Sequence, residues 1–245
     1  MIDDILTVAW KEWKELFLQR GTVRGGTLGL LFFIGVFGIF LPWQVGPVWV
    51  ESPLVLLYWA WVPLFLVTSV IADSFAGERD RHTLEMLLAS RLPDRAILLG
   101  KIAAAVGYGS GITLVSLLLG VLTVNVAFGR GELLLYPLTL FVSIIAVDLL
   151  TATLAACVGV IVSLRASTVR EAQQTLSIAI MLLLFVPLFG GQALPDEWKS
   201  SLLSFLSTSD PSLILLFAVA VLVIADLTLL WFAMARFRRA RLMLD

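Results

Sequence analysis

The sequence predicts an all-α integral membrane protein with six transmembrane helices. An amphipathic interfacial helix precedes the first span, a charged cytoplasmic helix joins the second span to the third, and a short extracellular helical excursion joins the fifth to the sixth. Three observations lead there. First, 60% of the 245 residues are hydrophobic and only 14% are charged, against about 45–50% and about 25% in an ordinary soluble domain. Second, the mean hydropathy is +0.99 for a 26.8 kDa chain, more apolar surface than a core of that size can bury from water. Third, the basic residues are distributed asymmetrically around the apolar runs.

The spans are expected at about 25–41, 54–72, 102–127, 135–163, 176–194 and 211–235, each near the roughly 20 residues that cross a bilayer. The first is short and the fourth long, with room for an interfacial piece at Leu133–Pro137. With the N-terminus placed in the cytoplasm, fifteen of the seventeen basic residues fall inside and only Arg130 and Lys199 outside. Both termini are therefore expected in the cytoplasm, and the chain is read as one transmembrane domain over 1–245. Residues 1–24 hold four basic and four acidic residues and no apolar core, so no cleavable signal peptide is expected.

Residues 3–20 read as the amphipathic helix. At 100° per residue, Ile5, Leu6, Ala9, Trp10, Trp13, Leu16 and Phe17 fall in one arc, about 140° wide. Lys11, Glu12, Lys14 and Glu15 lie outside it. Trp10, Trp13 and Phe17 beside lysines suit the headgroup layer of a bilayer.

Segment 73–101 is the most informative stretch. Leu84, Leu87 and Leu88 form one helical stripe, and Glu78 with Arg81, then Arg81 with Glu85, stand at helical pairing distances. Pro93 ends the helix, and Asp94 is placed to cap the next one. A charged helix with a leucine stripe between two spans offers a handle to a cytoplasmic partner. On the other side of the membrane, Pro195 to Leu206 reads as a short amphipathic helix that caps the bundle.

Within the spans, Asp148 and Asp226 are the acids at depth, where a carboxylate costs several kcal/mol and marks a candidate transport path. Gly25 with Gly29, and the row Ala103, Gly107 and Gly111, mark close helix packing. One cysteine, Cys157, excludes a disulfide framework within the chain, and one histidine, His82, excludes a multi-histidine metal site. Net charge is −1, so no basic field invites nucleic acid. Gly100-Lys101 suggests a phosphate loop, but Arg95 and Ile102 stand where that motif needs Gly and Ser or Thr. No catalytic residue, metal site or cofactor is expected on this chain.

Three features resemble the membrane subunits of ABC-2 type ATP-binding-cassette exporters. They are Trp10-Lys11-Glu12 before the first span; the stretch Phe75 to Ser90, closed by Leu92-Pro-Asp-Arg95 and Leu99-Gly-Lys101; and six spans with both ends inside and an excursion between the fifth and sixth. The resemblance implies a permease subunit, itself no enzyme, in the plasma membrane. It pairs with a second permease subunit, as homodimer or heterodimer, and two copies of a separate ATPase that carries ATP and magnesium dock below. The helix around Glu78–Ser90 would be the coupling helix. Glu78, Arg81, Leu84, Glu85 and Leu88 would contact the ATPase, and the substrate path would run along the second and fifth spans. Many relatives have glycine at the position of His82, a departure of little consequence on a helix surface. The competing readings are a stand-alone channel or proton-coupled transporter using Asp148 and Asp226, and a membrane anchor without transport.

Overall fold

The computed structural model describes residues 1–19, 24–83, 90–208 and 210–237. In chain order the helices are α1 (Ile2–Gln19), α2 (Arg24–Gly35), a π-helical turn (Val36–Phe40), α3 (Leu41–Val45), α4 (Val48–Glu51) and α5 (Val55–Asp80). They continue as α6 (Asp94–Phe128), α7 (Leu138–Ser163), α8 (Val169–Ala193), α9 (Asp196–Thr208) and α10 (Pro211–Arg236). Every regular element among the described residues is helical, as a bilayer demands of backbone that must satisfy its own hydrogen bonds.

Among the described residues, five helices are long and apolar enough to cross a membrane: α5, α6, α7, α8 and α10. The expected first span differs. Its apolar part, Gly29–Val45, is helical throughout but passes through the π turn. Such a turn releases a carbonyl from the i→i+4 ladder, and the Thr123 hydroxyl of α6 donates to Gly38 O at 2.8 Å. Composition carries no sign of this wider turn. The piece expected at the start of the fourth span is extended rather than helical. Asn125 holds it by donating to Leu134 O and accepting from Leu134 N, at 2.7 and 2.8 Å.

α5, α6 and α7 form the centre of the bundle, α8 lies on α5 and α7, and α10 lies on α7. The α5–α7 crossing is tight because Gly159 presents no side chain to Ile71. One turn further, Ser163 Oγ donates to Ala72 O at 3.0 Å and accepts from Ala76 N at 2.9 Å. α6 meets α5 in the same way, through Gly109 against Val67. α8 starts on a side-chain cap, with Thr168 accepting from Glu171 N and Glu171 accepting from Ser167 N and Oγ. The segment read as the excursion is helical, as α9, opened by Pro195 O accepting from Trp198 N and Lys199 N. α8 and α10 keep most of their apolar surface outside the bundle, among it Met181, Val186, Phe217 and Ile224, the composition of a lipid-facing or subunit-facing surface.

The amphipathic arc of α1 divides in two. Val8 is buried and Ile5, Glu12 and Leu16 are half-buried against the bundle, and Trp13 lies over α6 with part of its ring exposed, while Leu6 and Trp10 face outward with Ile2. The helix therefore presents one apolar side covered by the protein and another left exposed.

Candidate functional site

The end of the bundle that carries the basic residues is organised around the last turn of α5. That helix does not stop at the predicted edge of the second span. Phe75 and Ala76 are buried, so the apolar face continues past Ala72 and carries Gly77 and Glu78 into the protein, with Arg79 half-buried and Asp80 exposed at its edge. Each of the last three residues ties α5 to a different neighbour.

Glu78 is bound from the α1–α6 side. Its Oε1 accepts from Lys101 Nζ of α6 at 2.9 Å, and Lys11 Nζ of α1 lies 3.4 Å away. Lys101 Nζ also donates to Glu12 Oε1 and to Ser74 O, both at 2.8 Å, and sits 5.1 Å from the Phe75 ring centre. The Lys101 side chain is 1% exposed and that of Glu78 5%. A buried ammonium needs this full set of acceptors, because removing it from water is costly. Burial works against a charged Lys11, but Glu12, Glu78 and Glu15 outweigh it and hold its pKa above the ordinary lysine value.

Arg79 reaches the other way, donating to Leu164 O at 3.1 Å and to Ala166 O, the free carbonyls at the end of α7. Asp80 accepts from Val169 N at 3.3 Å, at the start of α8. Three consecutive residues thus fasten α5 to α1 and α6, to α7, and to α8.

α5 ends at Asp80 in a Schellman turn, with Thr83 N donating to Glu78 O at 2.8 Å and His82 N to Arg79 O at 3.0 Å. This corrects the expected helix around Glu78–Ser90, which is broken at 81–83. The predicted Glu78–Arg81 pair is absent: Arg81 lies 3.4 Å from Asp73, and Glu78 faces Lys101. His82 is not on a helix surface. It takes φ = 56° at the position where glycine is favoured, which gives the common glycine there a physical reason. Leu84, Glu85 and Leu88 lie outside the described residues. α6 then begins at Asp94 with Pro93, not Asp94, at the cap position.

α1 is held on α6 by shape as well as charge. A Cβ on Gly100 would stand 2.6 Å from Val8 Cβ, and one on Gly107 would stand 3.0 Å from the Trp13 ring. Between them Trp13 Nε1 donates to Ala104 O at 3.0 Å. The small residues that matter are therefore Gly100, Ala104 and Gly107. Of the predicted row, Ala103 is exposed and Gly111 has open space around it. Trp10 is 64% exposed on the outer side of α1, Trp13 is 37% exposed at the edge of the α6 contact, and Phe17 is on the same helix with its side chain outside the description.

A second feature is a cleft of about 510 Å³ between α5 and α8. Phe65, Thr68 and Ser69 line it from α5, and Gln173, Ser177 and Met181 are among its lining residues on α8. Thr68 and Ser69 donate their hydroxyls to their own helix backbone.

The two intramembrane acids are not brought together. Asp148 is 1% exposed and faces Ser110 and Thr113 of α6. Asp226 of α10 lies beside Cys157 of α7. Asp148 and Cys157 are nine residues apart on one helix, about 13 Å along its axis and on opposite faces. Neither acid lines the cleft.

Lys101, Arg79 and Asp80 carry much of this geometry; the sequence reading gave none of them a role at the site and named Lys101 only in a rejected phosphate loop and in the motif of the resemblance. The available signal was Lys101 itself, a charge at the start of a long apolar run that needs a partner.

Residues 58–219, more than half of the chain, match the family described as ABC-2 family transporter protein. The sequence is also similar to the ABC transporter permease protein NatB of Bacillus subtilis (strain 168), 28% identical over 154 residues. That similarity covers 57% of this chain and 39% of NatB, so the chain matches about two fifths of its relative's length. With five helices among the described residues long and apolar enough to cross a membrane, and with the family match running from α5 into α10, the chain is a multi-pass membrane protein that belongs to the ABC-2 transporter family.

Proposed function

We propose that the chain is the permease subunit of an ATP-driven exporter in a plasma membrane, with both termini in the cytoplasm. It works as a pair with a second permease subunit, and separate ATPase subunits drive it from the basic end. The junction at the end of α5 carries this reading. Connection 81–93 leaves the bundle where Glu78, Arg79 and Asp80 hold four other helices, so a force applied there reaches the whole bundle. In this reading ATP and magnesium belong to the partner, and Gly100 and Lys101 are engaged in helix packing and an ion pair.

In this reading Leu84, Glu85 and Leu88 contact the ATPase together with Arg81, whose side chain is 43% exposed. Glu78 acts from inside, as part of the junction. The α5–α8 cleft is one wall of the substrate path, and pairing with the second subunit encloses it. Closure of the ATPase pair shifts the helices between two access states. α1 rests in the headgroup layer through Trp10, Trp13 and Phe17 and braces α6.

The test is purification of the tagged chain, co-expressed with its native neighbouring genes, in mild detergent. An ATPase subunit should co-purify, and Leu84→Asp with Leu88→Asp should release it without loss of the permease. A chain that purifies alone and moves solute in liposomes without ATP would contradict the reading.

A further inference from the structure

We infer that Lys101 is a positioning residue that couples α1 to the connection between α5 and α6, so that the α1 helix responds whenever that connection is moved. The inference rests on the proposed ATPase docking and adds to it a route and a residue.

The geometry is that of a closed loop. Glu78 and Lys101 stand 23 positions apart in sequence, on either side of connection 81–93, and their side chains meet at 2.9 Å. The base of the connection is thus pinned by one buried ion pair. Lys101 is shared: the same ammonium binds Glu12 of α1 at 2.8 Å and the Ser74 carbonyl of α5 at 2.8 Å. α5 and α6 therefore cannot separate at this end without breaking contacts to a buried charge, and α1 is tied to the same atom. Lys11 adds a second link from α1 to Glu78 at 3.4 Å. A buried ion pair of this kind is a poor source of net stability but a strong geometric constraint, because the separated state leaves charge stranded in a low-dielectric place.

The two arms of the junction use different residues. Lys101 and Glu78 serve α1 and α6. Arg79 and Asp80 serve the α7–α8 connection through Leu164, Ala166 and Val169. Removing the first arm should leave the second intact, which separates a positioning role from a general loss of structure.

Hydrogen exchange on the complex of this chain with its ATPase subunit, with and without ATP, makes the test. In the wild type, ATP should change exchange in residues 81–93, in α1 and in residues 164–169. In Lys101→Met/Glu78→Gln, which removes both charges at nearly constant volume, the ATP-dependent change in α1 should be lost while those in 81–93 and 164–169 remain. The conservative Lys101→Arg, which keeps the cation shared by Glu12 and Glu78, should retain the α1 response. A wild-type response in 81–93 without one in α1 would overturn the inference and leave the docking reading standing. So would an α1 response of wild-type size in the neutral pair. No response in 81–93 of the wild type would overturn the docking reading and this inference with it.

Discussion

Lys101 Nζ lies 2.9 Å from Glu78 Oε1 with both side chains buried, and neither has another full charge partner as deeply enclosed. Removing one member strands the other, so Lys101→Ala should destabilise the protein by about 3–5 kcal/mol. Lys101→Met/Glu78→Gln should cost clearly less than the sum of its single changes. Denaturant midpoints in one detergent measure both, and simple additivity would show that the pair is not coupled.

The α1–α6 contact makes a paired prediction from two glycines on one helix. A Cβ at position 100 would meet Val8 Cβ at 2.6 Å and Ile5 O at 3.0 Å, whereas one at position 111 meets nothing within 4 Å. Gly100→Ala should cost about 1–3 kcal/mol as overpacking and raise hydrogen exchange in α1. Gly111→Ala should be neutral or stabilise by up to about 1 kcal/mol, the helix preference of alanine over glycine.

His82 holds φ = 56° in the turn that ends α5. That conformation is unfavourable for a side chain with a Cβ and free for glycine. His82→Gly should therefore raise stability by about 1 kcal/mol, read as a higher unfolding midpoint. An unchanged or lower midpoint would mean that the imidazole makes a compensating contact.

The last span begins on a carboxylate cap. Asp210 Oδ1 accepts from Ser212 N at 3.0 Å and Ser212 Oγ at 2.8 Å, and these bonds, the backbone one first, hold its pKa below the ordinary 3.8. A depressed carboxylate contributes stability above the unfolded value that is lost as pH falls through the folded one. This contribution should be complete above about pH 4 and disappear below it. Asp210→Asn, which keeps an acceptor and loses the titration, should flatten that acid limb in a pH series of unfolding midpoints.

Much of the fold was legible because its rules are those of the bilayer. Apolar run length placed α5, α6, α7, α8 and α10, and the short amphipathic period at 195–206 marked α9. The π turn at Val36–Phe40 was not legible, since its sequence is as apolar as its neighbours and the hydroxyl that meets Gly38 O comes from Thr123 of another helix, α6. The site was half legible. Gly77 to His82 stood out by charge, but the charges were assigned to pairs along one helix. The structure instead pairs Glu78 with Lys101 and Arg81 with Asp73. Helical spacing gives neighbours on one element only. Which element lies across from Glu78 depends on how Gly100 and Gly107 let α1 and α6 approach.

The central claim is that a separate ATPase works this permease through the connection between α5 and α6. The most direct measurement is photo-crosslinking from that connection in native membranes, with a photoreactive residue in place of Leu84 or Leu88 and the products identified by mass spectrometry. The account predicts crosslinks to a chain that carries a phosphate-loop ATPase motif, strengthened when ATP is present. Crosslinks confined to lipid and to this chain itself, with and without ATP, would contradict it.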